Sequence, residues 1–243
     1  MHADKLLIVI PARGGSKGLP RKNALSLGDL PLLGWTAAAI RRAGLENAQC
    51  LLSTDDLELA AIGATVGLDA PFLRPAALAT DHAGAVDVAL HALQWLEDAR
   101  GVHADTLLLL QPTSPFRSPT ALTQAVQLLQ DTASLDAVIG IKPIYRSLGT
   151  LFSQNPNGQL EPLQRQAEEI TRRQDVRPLF TPNGALYLIR SAVLREQRSF
   201  FPPHSHGLAM NQIESLDIDD PTDWTMAEAL VAAKLTWRSH GNA

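Results

Sequence analysis

The hydrophobic pattern along the chain switches between two periods. Lys5–Pro11 is an unbroken apolar run rich in Leu, Ile and Val, the signature of a central strand buried on both faces. Cys50–Ser53, Thr106–Leu110, Asp136–Ile141 and Ala185–Ile189 read as further strands. Between them the spacing turns helical. Pro31–Arg42, with Pro31 suited to a first turn, and Thr54–Val66 read as helices. Ala85–Glu97 sets Val86, Leu90, Leu93 and Leu96 on one face. Ser118 and Pro119 suit the N-cap and first position of a helix reaching Leu129. A last helix opens with Asp220 as N-cap, Pro221 next and Asp223 third, and its expected buried stripe is Trp224, Ala227, Val231 and Leu235. Such alternation predicts an α/β fold of parallel βαβ units with helices on both faces of the sheet.

One segment breaks the rhythm. Pro143–Pro182 has few apolar runs, a turn signal at Asn155-Pro156-Asn157-Gly158, and then the charged residues Arg165, Glu168, Glu169, Arg172, Arg173, Asp175 and Arg177. It is too poor in apolar residues to fold alone, so it reads as an excursion from a single domain covering residues 1–243.

Composition narrows the function. With 45% hydrophobic and 19% charged residues the chain is neither disordered nor membrane-embedded, and runs such as Leu6–Pro11 and Leu107–Leu110 are too short to span a bilayer. A net charge of −4 argues against a nucleic-acid partner, which needs a basic face. The single Cys excludes an intrachain disulfide and a Cys-based zinc site, and Cys50 itself reads as an inert strand thiol. The N-terminus shows no long apolar stretch of the signal-peptide kind, so a cytoplasmic setting is expected. Against the overall acidity stands one basic knot, Arg13, Lys17, Arg21 and Lys22.

Ligands of such sheets bind beyond the carboxyl ends of the strands. The loops there are Ala12–Asn23, Thr54–Asp56, Gln111–Arg117 and the segment after Ile141. In Ala12–Asn23, glycines permit close approach of backbone to an anion, successive N–H groups form a phosphate nest, and the cations neutralise a polyanion. The spacing is neither that of a P-loop nor of a dinucleotide fingerprint; a solvated loop with surface cations is the bland alternative. In Ser215–Pro221, alternation puts Asp217 and Asp219 on one side of an extended segment, where they suit a hard cation such as Mg²⁺ or serve simply as turn acids. Gln111 and Arg117 suit polar substrate contacts or an ordinary Pro-rich loop, and Arg74 suits a nucleotide base or plain solvent. His204-Ser205-His206 reads as an exposed turn and His91 as a packing or surface residue. A Gly-x-Ser-x-Gly nucleophile motif is absent.

Taken in order, the motifs resemble the acylneuraminate cytidylyltransferases, the CMP-sialic acid synthetases. They are Ile10-Pro11-Ala12-Arg13-Gly14-Gly15-Ser16-Lys17-Gly18-Leu19-Pro20-Arg21-Lys22-Asn23, Ser53-Thr54-Asp55, Leu73-Arg74-Pro75, Leu78-Ala79-Thr80-Asp81, Leu110-Gln111-Pro112-Thr113-Ser114-Pro115, Pro182-Asn183-Gly184-Ala185 with Tyr187, and Asp217-Ile218-Asp219. The resemblance covers nearly the whole chain. It implies a three-layer, Rossmann-like nucleotide-diphospho-sugar transferase fold with a mostly parallel sheet, whose arm, about residues 143–182, exchanges across a homodimer. It also implies transfer of CMP from CTP to a nine-carbon α-keto sugar acid. By the same resemblance Ala12, Arg13, Gly14, Gly15, Ser16 and Lys22 cradle the triphosphate, and Asn23 contacts the nucleoside. Arg74 reads the base together with the backbone around Ala83 and Ala85, where this chain lacks the hydroxyls of sialate enzymes. Asp217 and Asp219 hold Mg²⁺ (or Mn²⁺). Gln111, Arg173 acting in trans, Tyr187, Phe200 and Phe201 form the sugar pocket, and Lys22, Arg13, Asp217 and Asp219 carry the catalysis. A CMP-Kdo-type synthetase acting on an eight-carbon acid and a non-catalytic nucleotide-binding protein are the alternatives.

Overall fold

A computed structural model describes residues 6–15, 18–80, 82–146, 150–163 and 179–240. Strand β1 (Leu6–Pro11) leads through the Gly-rich loop and the short antiparallel pair β2 (Ser26–Leu27) and β3 (Leu30–Pro31) into helix α1 (Leu32–Arg42). Then follow β4 (Gln49–Ser53), α2 (Leu57–Thr65), α3 (Ala85–Arg100), β5 (Thr106–Leu109), α4 (Pro119–Asp131) and β6 (Ala137–Ile144). The excursion contributes β7 (Phe152–Gln154) and β8 (Leu160–Pro162), and the chain returns in β9 (Leu179–Arg190), α5 (Ser191–Gln197), β10 (Ser205–Ala209) and α6 (Pro221–Ala232).

Among the described residues the main sheet has six strands, in the order β10-β6-β9-β5-β1-β4. The β10–β6, β5–β1 and β1–β4 pairs are parallel, while β9 runs antiparallel to both its neighbours. The sheet is thus mostly parallel, as expected, and β9 is the antiparallel exception. It re-enters from the excursion rather than through a crossover helix, and only parallel neighbours require a crossover.

Alternation on β1 explains the three layers. Leu6, Ile8 and Ile10 point into a core shared with Leu33 and Ile40 of α1, Leu59 of α2 and Leu122 and Leu129 of α4. Leu7 and Val9 point to the opposite face, against Leu93 and Leu96 of α3 and Leu194 of α5. A strand buried on both sides must be apolar throughout. Burial pushes the Cys50 thiol of β4 up to about 12, which keeps it protonated and inert.

Caps match local chemistry. Asp56 accepts from Glu58 and Leu59 N–H at the start of α2, and Ser118 accepts from Ala121 N–H at the start of α4. Asp220 and Asp223 form a capping box at α6. Three expectations change in detail. Pro31 is the N-cap of α1 and lies outside its first turn. Leu235 lies beyond α6 and is half exposed, because the helix ends at Ala232 and Lys234 turns left-handed. His204 lies in the exposed turn that was expected, while His206 is exposed on the edge strand β10 rather than in that turn.

The excursion is narrower than its sequence boundaries. β6 and β9 stay paired out to Ile144 and Leu179, so residues 143–144 and 179–182 belong to the sheet. Beyond it, β7 and β8 form a hairpin whose Asn155–Gly158 turn has Gly158 left-handed (φ 83°), as its sequence requires.

Candidate active site

The order β4-β1-β5 fixes where a ligand can enter. From β1 the chain moves through α1 to one side, then returns through α2 and α3 to the other. The loops after β1 and β5 thus diverge at a topological switch point, where doubly wound sheets bind their ligands. A cleft of about 360 Å³ opens there, lined by Arg13, Lys22, Asn23, Gln111, Asp217 and Asp219 among others.

Two distant segments meet in this cleft. A Cβ on Gly18 would lie 2.1 Å from the Asp219 carbonyl oxygen, so only glycine lets the loop pass this close. Lys22, nearly buried, donates to the Ile218 carbonyl and to Asp219 Oδ1 at 3.2 Å. Asn23 donates to the Arg13 carbonyl (3.2 Å), while its own Oδ1 is buried without a partner. Gly14 donates its N–H to Asp55 Oδ1 (2.9 Å), so that donor of the expected nest is already engaged. Of the basic knot, Arg13 and Lys22 line the cleft. Arg21 instead pairs with Asp56 (3.5 Å) and Glu58 (2.7 Å) at the start of α2. Ser16 and Arg173 lie outside the described residues.

The acidic segment alternates as its spacing requires. Ile218 is fully buried, and its N–H donates to the Thr113 carbonyl (2.8 Å). That leaves Asp217 and Asp219 on the cleft side. Burial pushes the Asp217 carboxyl up and Asp219 adds to this; hydrogen bonding from Thr113 and the charges of Lys22 and Arg117 oppose it. Asp217 Oδ1 is buried without a hydrogen-bond partner, an acceptor left open on the cleft side. Among the described residues no three His, Cys, Asp or Glu side chains gather into a metal cage. The two carboxylates therefore form a partial shell, which fits a hard cation whose remaining ligands are phosphate oxygens and water.

Gln111 also lines a second cleft of about 270 Å³, with Ala85, Tyr187, Arg198, Phe200 and Phe201. The Tyr187 ring lies 5.4 Å from that of Phe200 and 6.0 Å from that of Phe201. Burial pushes the Tyr187 hydroxyl up, and Asp217 adds to it. The expected sugar-pocket residues Gln111, Tyr187, Phe200 and Phe201 are thus brought together. Ala83 sits just before α3, its N–H donating to Thr80 (3.2 Å).

Two arginines near the clefts are held by the protein itself, and for Arg117 this replaces the expected crevice contact. Arg117 is fully buried and does not face the crevice; it donates to the carbonyls of Ala185 (2.7 Å) and Gln111 and to Thr36 Oγ1 (2.8 Å). Burial pushes it down to about 9, against the pull of Asp217. Arg74 is buried too. It donates to Ser53 Oγ (3.0 Å), to the Ser53 carbonyl and to the Leu78 carbonyl (3.5 Å), and it lines neither cleft. Both guanidiniums are oriented by backbone acceptors of the protein.

Gly184 is a positioning residue that sequence reading assigned no role. It is left-handed (φ 78°), and a Cβ there would lie 3.1 Å from Gln111 Oε1 and 3.2 Å from Asp217 Oδ2. The register of β9 against β6 shifts here, between Ile139 and Ile141. Asn-Gly inside a strand run is the available signal for such a bulge.

A Gly-rich basic loop facing paired carboxylates at the switch point of a doubly wound sheet defines a nucleotide-handling α/β enzyme. Solved structures share the architecture: a CMP:2-keto-3-deoxy-manno-octonic acid synthetase complexed with CTP has a TM-score of 0.65 at 19% identity, covering 95% of this chain and 99% of that one. The sequence model of the cytidylyltransferase family matches residues 7–236, and the chain belongs to that family. It is 34% identical over 232 residues to the CMP-N,N'-diacetyllegionaminic acid synthase of Legionella pneumophila, covering 93% of this chain and 96% of the relative. It is 33% identical over 223 residues to an N-acylneuraminate cytidylyltransferase of Escherichia coli, covering 92% of this chain but only 51% of that longer protein. A pseudaminic acid cytidylyltransferase of Campylobacter jejuni is 30% identical over 229 residues, covering 93% of this chain and 96% of that one.

Proposed function

We propose that the chain transfers CMP from CTP to the anomeric hydroxyl of a nine-carbon α-keto sugar acid and releases pyrophosphate. The observation that carries this reading is the shared wall: Gln111 borders both the carboxylate cleft and the aromatic cleft. A phosphate chain in the first and a sugar in the second meet at that residue.

The sugar hydroxyl attacks the α-phosphorus in line with departing pyrophosphate. Positioning and charge stabilisation suffice, and no protein nucleophile is needed. Arg13 and Lys22 offset the charge of the phosphate oxygens. Asp217 and Asp219 hold Mg²⁺ or Mn²⁺, which neutralises charge on the triphosphate. Asn23, with its unpartnered buried Oδ1, contacts the nucleoside. Ala12, Gly14, Gly15 and Ser16 shape the phosphate loop, and Arg74, held by Ser53 at the end of β4, reads the base together with the backbone around Ala83 and Ala85. Tyr187, Phe200 and Phe201 receive the sugar, and Arg173 of a partner subunit completes the pocket. The arm pairs two copies. Tyr145, Phe152, Leu160, Leu163 and Phe180 are all at least 46% exposed, an apolar display that suits cover by a second chain. No helix among the described residues is long and apolar enough to cross a membrane.

Pyrophosphate release is the test, with CTP, ATP, GTP or UTP and each of several keto acids. Release requiring both CTP and a nine-carbon acid supports the reading. Release with an eight-carbon acid alone, or saturable CTP binding without release, contradicts it.

A further inference from the structure

We propose that Arg198 selects the acylamino group of the sugar acid; this rests on the sugar-acid reading above. Arg198 caps the C-terminus of α5 in a left-handed conformation (φ 48°), a position that ordinarily favours Gly or Asn. That left-handed residue ends α5 two positions before Phe200. Arg198 is the one cation among the described residues lining the aromatic cleft. Its guanidinium meets the carboxylate of Asp87 in the first turn of α3. A Cβ on Gly84 would lie 3.5 Å from Asp87 Oδ2, so the pair bridges the base-side segment and the aromatic side of the cleft.

Stability does not account for this bridge. The side chains of Arg198 and Asp87 are 61% and 43% exposed, and pairs that open to water contribute little. A guanidinium has five N–H donors, more than one carboxylate consumes. Asp87 fixes the direction of the fork beside Phe200 and Phe201. The carboxylate of the sugar acid is bonded to the reacting carbon, so it stays at the Gln111 end, next to the phosphate cleft. What reaches the rings and Arg198 is a substituent further along the sugar. An acyl group suits both: its methyl packs on the rings while its carbonyl oxygen accepts from Arg198. A hydroxyl in its place has no methyl and is the weaker acceptor.

The test compares wild type, Arg198→Ala and Arg198→Lys on an N-acylated nine-carbon acid and on its counterpart with a hydroxyl at that position. An acid that is not turned over is measured as a competitive inhibitor. Arg198→Ala is expected to raise KM for the acylated acid roughly 10- to 100-fold, the scale of one charge-assisted hydrogen bond. The KM for CTP should be unchanged, the hydroxyl acid should shift by less than about 3-fold, and Arg198→Lys should recover part of the loss. An equal loss for both acids, or a loss for neither, overturns the proposal. Wild type that uses no nine-carbon acid overturns the parent reading instead, and that result precedes any variant.

Discussion

Lys22 Nζ lies 3.2 Å from Asp219 Oδ1, although 197 positions separate the two residues. The contact joins the loop after β1 to the acidic segment before α6, and with the Ile218 carbonyl it holds the amine at the cleft wall. A cation so held costs no reorganisation when phosphate charge develops beside it. Lys22→Ala is therefore expected to reduce turnover by roughly 10²–10³, the scale of losing one preorganised donor. Steady-state kinetics on a variant with native circular dichroism checks this, and near-normal turnover would remove Lys22 from the mechanism.

The two aspartates should behave differently. Asp219 is exposed, so Asp219→Ala should fold normally, raise the divalent-cation concentration needed for half-maximal rate and lower the rate itself. A magnesium titration that superimposes on that of wild type contradicts the assignment.

Asp217 carries a pH signature. Its folded carboxyl lies above the ordinary value of 3.8, chiefly through burial. Between that value and its raised folded one, the folded state therefore holds a proton that the unfolded state has released. Without metal, its contribution to stability is present below 3.8 and is lost as pH rises through the raised folded value. Asp217→Asn removes that loss, so the metal-free variant should melt higher than wild type at neutral pH while being inactive. Added Mg²⁺ should raise the melting temperature of wild type and leave that of Asp217→Asn unchanged. Scanning calorimetry with and without the cation reads both, and an equal metal response in the two proteins argues against Asp217 as a ligand.

Gly184 sets the spacing of the two clefts. Gly184→Ala meets a left-handed penalty of about 1–2 kcal/mol and crowds Gln111 and Asp217. Chemical denaturation should show that loss of stability, and kcat/KM should fall by about ten-fold or more, since small displacements at a reacting centre are costly. A loss of stability with unchanged kcat/KM would make Gly184 a fold residue only.

Arg117 should prove structural. Arg117→Met leaves the Gln111 and Ala185 carbonyls and Thr36 Oγ1 without their buried donor, at a cost of about 3 kcal/mol or more. Melting should fall well below wild type, and residual activity should track the folded fraction. Loss of activity in a fully stable Arg117→Met protein would return this Arg to the substrate.

Short-range chemistry was the legible part of this chain. The two-sided apolar run of β1, the caps at Ser118 and Asp220, and the glycine turn at Gly158 follow from local propensity, and the structure has each of them. Alternation around Ile218 likewise put both aspartates on the cleft side. Direction and competition were not legible. Whether β9 runs parallel depends on how the chain returns from its excursion. Whether Arg74 and Arg117 reach a ligand depends on backbone acceptors supplied from Ser53, Leu78, Gln111 and Ala185. Gly184 stood in a quoted motif, yet its role appears only when β5 and the acidic segment are brought beside it.

The central claim is transfer of CMP to a nine-carbon sugar acid, and the most direct measurement follows the α-phosphorus. CTP labelled at that atom is incubated with a divalent cation and a panel of eight- and nine-carbon keto acids, and the products are resolved by mass. The account predicts that the label moves into a CMP–sugar adduct of a nine-carbon acid, with one pyrophosphate released per adduct. Label that stays in CTP with every nine-carbon acid, or that appears only in free CMP, would contradict it.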